Sequence, residues 1–156
     1  MFLKVGDNAS EVVIEAVKDL NARAFRQQAS LFVITCSTTK RVLVVRRSKD
    51  DQVGLPCGKI DGDEIPLEAA IRELYEETGV KASRFDFATR YIAAVQFEGT
   101  LVHIFQNSIE SEEGIGAAPG FEHETIPQWF DVTDLVKLPS RFRSFNIVAL
   151  HKAGLC

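Results

Sequence analysis

Between positions 58 and 80 the chain reads GKIDGDEIPLEAAIRELYEETGV, which sets Glu64, Glu73, Glu76 and Glu77 around a single arginine, Arg72, with Gly58 and Gly79 near the ends. Clustered carboxylates are hard oxygen donors. They suit Mg2+, which keeps several of its waters and is commonly shared between protein carboxylates and substrate phosphates. The plain alternative is an acidic helix face turned to water. Against it, Glu73, Glu76 and Glu77 fall at i, i+3 and i+4, where like charges disfavour a helix by roughly a few tenths of a kcal/mol per pair. A bound cation would reverse that sign.

The donors need a helix to hold them, and its signals are present. Pro66 suits the first turn, where its missing N–H is no loss, and Gly79 suits the left-handed position just past the end. Leu67, Ala70, Ile71 and Leu74 recur at i, i+3, i+4 and i+7, so they line one face that must be buried. The three glutamates share another.

These residues are identified with the Nudix box, GX5EX7REUXEEXGU with U aliphatic. Gly58, Glu64, Arg72, Glu73, Leu74, Glu76, Glu77, Gly79 and Val80 fill every specified position. At average residue usage a chance match in a chain this long has a probability on the order of one in ten million or less. That outweighs the solvated-face alternative. The resemblance implies an α/β (α+β) fold, an α/β/α sandwich with a mixed β-sheet flanked by helices. It also implies Mg2+-dependent hydrolysis of a nucleoside diphosphate linked to another moiety, by water attack on phosphorus, with Mn2+ as a substitute metal. A nucleotide sensor on the same fold is the alternative, but it usually goes with lost box residues.

Carried over from the motif, the Gly58 carbonyl, Glu73, Glu76 and Glu77 are the expected metal ligands. Glu73 is the preferred base or base-side ligand, Arg72 holds a neighbouring carboxylate in place, and Glu64 orients from the loop. In many family members the base or a further ligand comes from a loop before a late strand. Here that loop carries Glu122, His123 and Glu124, with Glu124 preferred. Arg46 and Arg47 end a strand just upstream of the box, and a guanidinium matches phosphate geometry, with Arg47 favoured. Phe32, Phe97, Phe105 and Phe130 are candidates to stack a base, although most of the eleven phenylalanines must be core.

Two departures from the family pattern stand out. Cys57 takes the place of a frequent first glycine, and Asp63 that of a glycine before Glu64. The loop is therefore expected to take a locally different path. The proline or tyrosine that marks some substrate subgroups beyond the box is absent, since Val95, Gln96 and Phe97 occupy that region. The nucleotide itself is not legible.

The rest of the chain bounds the setting. A length of 156 residues, 46% of them hydrophobic, fits one domain spanning 1–156, with residues 1–28 as an N-terminal helical extension packed on it. Asn8 and Glu11 form a capping-box-like pair for that helix, and Val12, Val13, Ala16, Val17 and Leu20 its stripe. No apolar stretch reaches the length of a membrane span, so a cytoplasmic protein without membrane contact is expected. The three cysteines, Cys36, Cys57 and Cys156, are odd in number and widely spaced, which favours free thiols over a disulfide or zinc framework. Net charge of −4 argues against stable DNA or RNA binding and leaves a small nucleotide as the expected partner. A homodimer through the N-terminal helix stays open.

Hairpins are expected over residues 30–36 with 42–45, and over 91–96 with 100–106. Residues 110–124 read as a long functional loop and 129–132 as a strand. A final helix opens at Pro139 and Ser140, with Phe142, Phe145 and Ala149 on one face.

Overall fold

The computed structural model describes residues 2–5, 12–15 and 27–156, the first two segments by backbone course alone. In chain order the strands are β1 (Phe2–Val5), β2 (Val12–Glu15), β3 (Gln27–Cys36), β4 (Val42–Arg47), β5 (Val53–Gly54), β6 (Cys57–Lys59), β7 (Arg90–Phe97), β8 (Thr100–Ile109) and β9 (Thr125–Phe130). The helices are α1 (Pro66–Thr78), α2 (Val132–Lys137) and α3 (Arg143–Lys152). One sheet runs in the order β2-β1-β7-β8-β3-β4-β5, with β6 pairing on β3 and β9 on β4. β1 with β7 and β3 with β8 are parallel, and the other pairs are antiparallel. This is the expected mixed sheet.

β3 explains the layering. A strand buried on both faces reads as a continuous apolar run, and LFVI at Leu31 to Ile34 is one. Leu31 and Val33 face a core shared with Leu135 of α2 and Phe145, Val148, Ala149 and Leu150 of α3. Phe32, Ile34 and Cys36 face the opposite core, with Ala70 and Leu74 of α1. Helices therefore cover both faces. Leu74 is fully buried, which stabilises the docking of α1 by about 1.5–3 kcal/mol.

The ends of α1 follow the expected signals. Pro66 opens it, and Glu68 accepts the Ile65 N–H at 3.1 Å. Gly79 closes it with φ 76° and donates to the Tyr75 carbonyl at 2.8 Å. A side chain at Gly79 would also run into the Gly116 carbonyl oxygen. Residues of the long 110–124 loop are tied to the same end: Gly116 N–H donates to Thr78 O at 2.8 Å and Ala118 N–H to Glu76 O at 3.0 Å.

Three expectations are corrected. Val12 and Val13 lie in a strand, with Leu3 opposite Ile14, because a β-branched VVIE run gains more from an edge pairing than from a helix. The remainder of the expected N-terminal helix, with Asn8, Glu11, Ala16, Val17 and Leu20, lies outside the described residues. Val132 starts α2 rather than ending a strand. The Asp131 carbonyl there takes the Asp134 and Leu135 N–H groups at 3.0 and 3.1 Å, and Leu135 is buried. The last helix begins regularly at Arg143. Ser140 closes the turn before it, accepting the Phe142 N–H at 3.1 Å and donating to the Val53 carbonyl at 3.0 Å.

His103 is a packing position, as its strand alternation suggests. Its Nδ1 meets the Tyr91 hydroxyl and its Nε2 the Gln28 Oε1, both at 2.9 Å. Since Gln28 Oε1 only accepts, the proton sits on Nε2 and Tyr91 donates to Nδ1. Burial holds this imidazole below its ordinary 6.5. The stability it contributes is thus present above pH 6.5 and is lost as the pH falls to and through the lower folded value. Thermal melts between about pH 7.5 and 5.5 should show wild type losing ground to His103→Gln. A gap that stays constant with pH contradicts this.

Candidate active site

β6 positions the centre. Ser30 of β3 stands opposite Gly58 and Leu31 opposite Cys57, and the Ile60 N–H donates to Gln28 O at 3.0 Å. This fixes the β6 backbone against α1. A Cβ built at Gly58 would overlap the Glu73 carboxyl group, so the glutamate fills the space that a side chain would take. Glycine here serves close approach, not turn geometry.

Arg72 gathers the acids. Its Nε and Nη2 donate to the two oxygens of Glu64 at 2.8 and 2.9 Å, a bidentate pair. Nη1 donates to Glu73 Oε1 at 2.9 Å and to the Glu76 carboxylate at 3.3 and 3.4 Å. Nη2 also reaches the Lys59 carbonyl at 2.9 Å and Asp61 at 3.2 Å. Glu64 in turn accepts the Asp61 N–H at 2.8 Å, fastening the loop into α1. These contacts raise the Arg72 pKa further. The Arg72 guanidinium, helped by the Asp61 N–H, holds the Glu64 carboxyl down to about 2.

The other carboxylates move the opposite way. Burial raises Glu73 despite Arg72. Glu77 is raised well above the ordinary carboxylate range by burial and then by the charge of Glu73, while the Cys57 N–H it accepts at 3.0 Å and the Arg47 charge offset only part. Cys57 is pushed up by burial and by Glu77 and Glu73, which keeps its thiol protonated and unreactive.

Among the described residues no group of three Asp, Glu, His or Cys side chains is placed to hold a metal. The reason is visible: Glu73 and Glu76 turn to Arg72 while Glu77 turns to Cys57. The donor chemistry nevertheless fits a hard divalent cation. The set is all oxygen, and Glu77 is a half-buried acid beside a second acid, with the neutral Cys57 N–H as its hydrogen-bond donor. An ion binding here would compete with the guanidinium for Glu73 and Glu76.

A cavity of about 380 Å³ adjoins the centre. Cys57, Gly58 and Glu77 line it together with Arg47, Phe97 and Phe142. Arg47 pairs with Asp50 at 3.3 Å, and its guanidinium lies 5.3 Å from the centre of the Phe142 ring. Arg46 does not line the cavity. It pairs with Asp51 at 3.3 Å, because adjacent strand residues point to opposite faces. Among the stacking candidates Phe97 lines the cavity, Phe32 and Phe105 are buried in the α1-side core, and Phe130 packs against the other core.

The Glu122–His123–Glu124 loop is tied nearby through backbone. Ser48 N–H donates to Glu124 O at 3.0 Å, and the hydroxyl of the next residue, Thr125, donates to Glu77 O at 3.1 Å. Glu122 accepts the Gly120 N–H at 2.8 Å, and the exposed Glu124 carboxylate lies 3.8 Å from His123. Neither glutamate lines the cavity. Sequence reasoning missed Asp61, Phe142 and Asn146. For Asn146 a signal existed: it stands four residues after Phe142, a polar residue on an apolar helix stripe.

A family model described as NUDIX domain matches residues 26–151. An RNA pyrophosphohydrolase of Bartonella henselae is 31% identical over 156 residues, covering 85% of this chain and 90% of its own. One of Bartonella tribocorum is 34% identical over 109 residues, covering 59% of this chain, which spans only 62% of that relative's length. Among solved structures, the NUDIX domain of Shewanella oneidensis NrtR, complexed with ADP ribose, matches with a TM-score of 0.66 over 88% of this chain and 95% of that one. At 18% identity the likeness is one of fold.

Proposed function

The chain belongs to the Nudix family, and from that premise we propose that it is a metal-dependent hydrolase. It splits the pyrophosphate linkage of a nucleoside diphosphate joined to a second group, by attack of water on phosphorus. The observation that carries this is the Glu73 carboxyl lodged in the hollow of Gly58, with half-buried Glu77 beside it at the wall of a nucleotide-sized cavity. The Gly58 carbonyl, Glu73, Glu76 and Glu77 would hold Mg2+, or Mn2+ in its place. The ion supplies charge neutralisation at the phosphoryl oxygens and acidifies the attacking water.

The protein's own groups do the rest. Glu73 gives Oε1 to Arg72 and keeps Oε2 to take the proton of the attacking water, and its raised pKa suits a base. Glu124 is the alternative base, brought by movement of its loop, with Glu122 beside it on the substrate side. Arg72 orients Glu73 and Glu76, Glu64 orients Arg72, and Arg47 meets a substrate phosphate. The whole chain acts as a single domain, supported by one sheet that takes in strands from both the first fifteen residues and the core. Among the described residues no helix is long and apolar enough to cross a membrane.

The test is a screen with Mg2+ that separates the products, a nucleoside monophosphate with pyrophosphate or with a second phosphomonoester, over deoxynucleoside triphosphates, ADP-ribose, sugar nucleotides, dinucleoside polyphosphates and triphosphorylated RNA. Turnover is expected on free nucleotides, with RNA ends disfavoured by the net charge of −4. Glu76→Gln should lower it by about a hundredfold. A variant equal to wild type removes the enzymatic reading, and tight binding without turnover points to a sensor.

A further inference from the structure

The cavity beside the acidic centre is walled on its far side by α3 and the residues before it. The Phe97 ring stacks on Phe145, with centroids 5.0 Å apart and planes at 21°. The Phe142 ring carries two guanidinium groups, Arg47 at 5.3 Å and Arg141 at 5.1 Å from its centre. Flat rings with adjacent cations are a setting in which a nucleobase can stack.

One polar side chain of this wall has an unmet bond. Asn146 is 1% exposed and lines the cavity. Its Nδ2 donates to the Val53 carbonyl at 3.3 Å, the same oxygen that accepts the Ser140 hydroxyl at 3.0 Å. Turned over, the amide would set oxygen against oxygen, so its orientation is fixed by the network. Oδ1 is left as the free end, buried and without a hydrogen-bond partner among the described residues. A buried acceptor without a donor is costly, and a fold that keeps one at a cavity wall leaves a place for a ligand's N–H.

Resting on the pyrophosphatase reading, we propose that Asn146 reads the base: Oδ1 accepts from an exocyclic amine of a nucleobase held in the Phe97, Phe142 and Phe145 cavity, while the phosphates extend toward Arg47 and the glutamates. The substrate class is then an amino-bearing nucleotide. A site built to accept an N–H discriminates strongly against an analogue that lacks it, because the acceptor is again left unpaired. The amide's nitrogen already bonds Val53, so Oδ1 is the atom left for a ligand's N–H.

The experiment measures equilibrium binding of non-hydrolysable α,β-methylene nucleoside diphosphates in matched pairs with Mg2+. The pairs are adenosine against purine riboside, guanosine against inosine, and cytidine against its 4-deamino analogue. For the preferred base, wild type should bind the amine-bearing member about tenfold or more tightly. Asn146→Leu should bind both members alike. Melting curves identify any variant that has not folded, and the wild-type comparison alone still tests the preference. The proposal is overturned if wild type discriminates in no pair, or if Asn146→Leu keeps the wild-type gap. Cleavage of the hydrolysable parent nucleotides by wild type, read as nucleoside monophosphate formed, separates the two readings. Hydrolysis without amine discrimination removes only the role of Asn146, whereas amine discrimination without hydrolysis removes the pyrophosphatase.

Discussion

Gly58→Ala is expected to lower turnover by about a hundredfold or more at saturating Mg2+, with little change in melting temperature. The β6 backbone cannot retreat, because it is laddered to β3 through Ser30 and Leu31 and held again at Ile60. The new methyl group therefore displaces what faces it, the carboxyl end of Glu73. A flexible side-chain terminus moves cheaply, so the fold survives. The displaced carboxyl, however, loses its bond to Arg72 and the hollow it fills at Gly58. Placement errors of about 1 Å can cost two orders of magnitude in rate. Steady-state kinetics and Mg2+ dependence, run beside a thermal melt, check this. Turnover within about threefold of wild type contradicts it.

Arg72→Lys should behave as a loss rather than a conservative change. One guanidinium bonds or pairs with Asp61, Glu64, Glu73, Glu76 and the Lys59 carbonyl. An ammonium is a point charge with three donors and cannot span that set. In the presence of a chelator the melting temperature of Arg72→Lys is expected to fall by about 5 °C, because like-charged carboxylates are left facing one another. Added Mg2+ should recover part of that fall, since it would neutralise Glu73, Glu76 and Glu77 directly. Activity should stay depressed even when the metal is saturating, because Glu64 no longer orients anything. A lysine variant with wild-type melting and turnover removes the positioning role.

The parts of the fold legible in the sequence were those set by neighbouring residues. Pro66, Gly79 and the Leu67 to Leu74 stripe delimit α1, and the turn at Glu98 and Gly99 joins β7 to β8 as their composition implies. Distance along the chain hid the rest. β1 pairs with β7, Phe2 opposite Ala94, and no local pattern announces a parallel partner ninety residues away. The box named the acids, yet helical spacing alone does not bring Glu64, outside the helix and eight residues before Arg72, onto that guanidinium. Arg46 and Arg47 were equivalent in composition, and only the parity of β4 decides which one meets the cavity. The far wall was least legible. Ser140 and Asn146 reach Val53 across 87 and 93 residues, and it is this closure that turns an apolar helix stripe into a cavity wall.

The position of Glu76 and Glu77 in the final turn of α1, with no basic residue in that turn, has an electrical consequence. Peptide dipoles along a helix sum to roughly half a negative charge at its C-terminal end. The acidic centre thus sits at the negative pole of its own helix, the reverse of the arrangement that draws phosphate to a helix N-terminus. Part of that pole is answered by Gly116 and Ala118, whose N–H groups take the Thr78 and Glu76 carbonyls, and by Thr125 on Glu77. The remaining field favours a cation and repels a bare phosphate. An anionic substrate is therefore drawn in by the charge of Arg47 and by any metal that arrives with it.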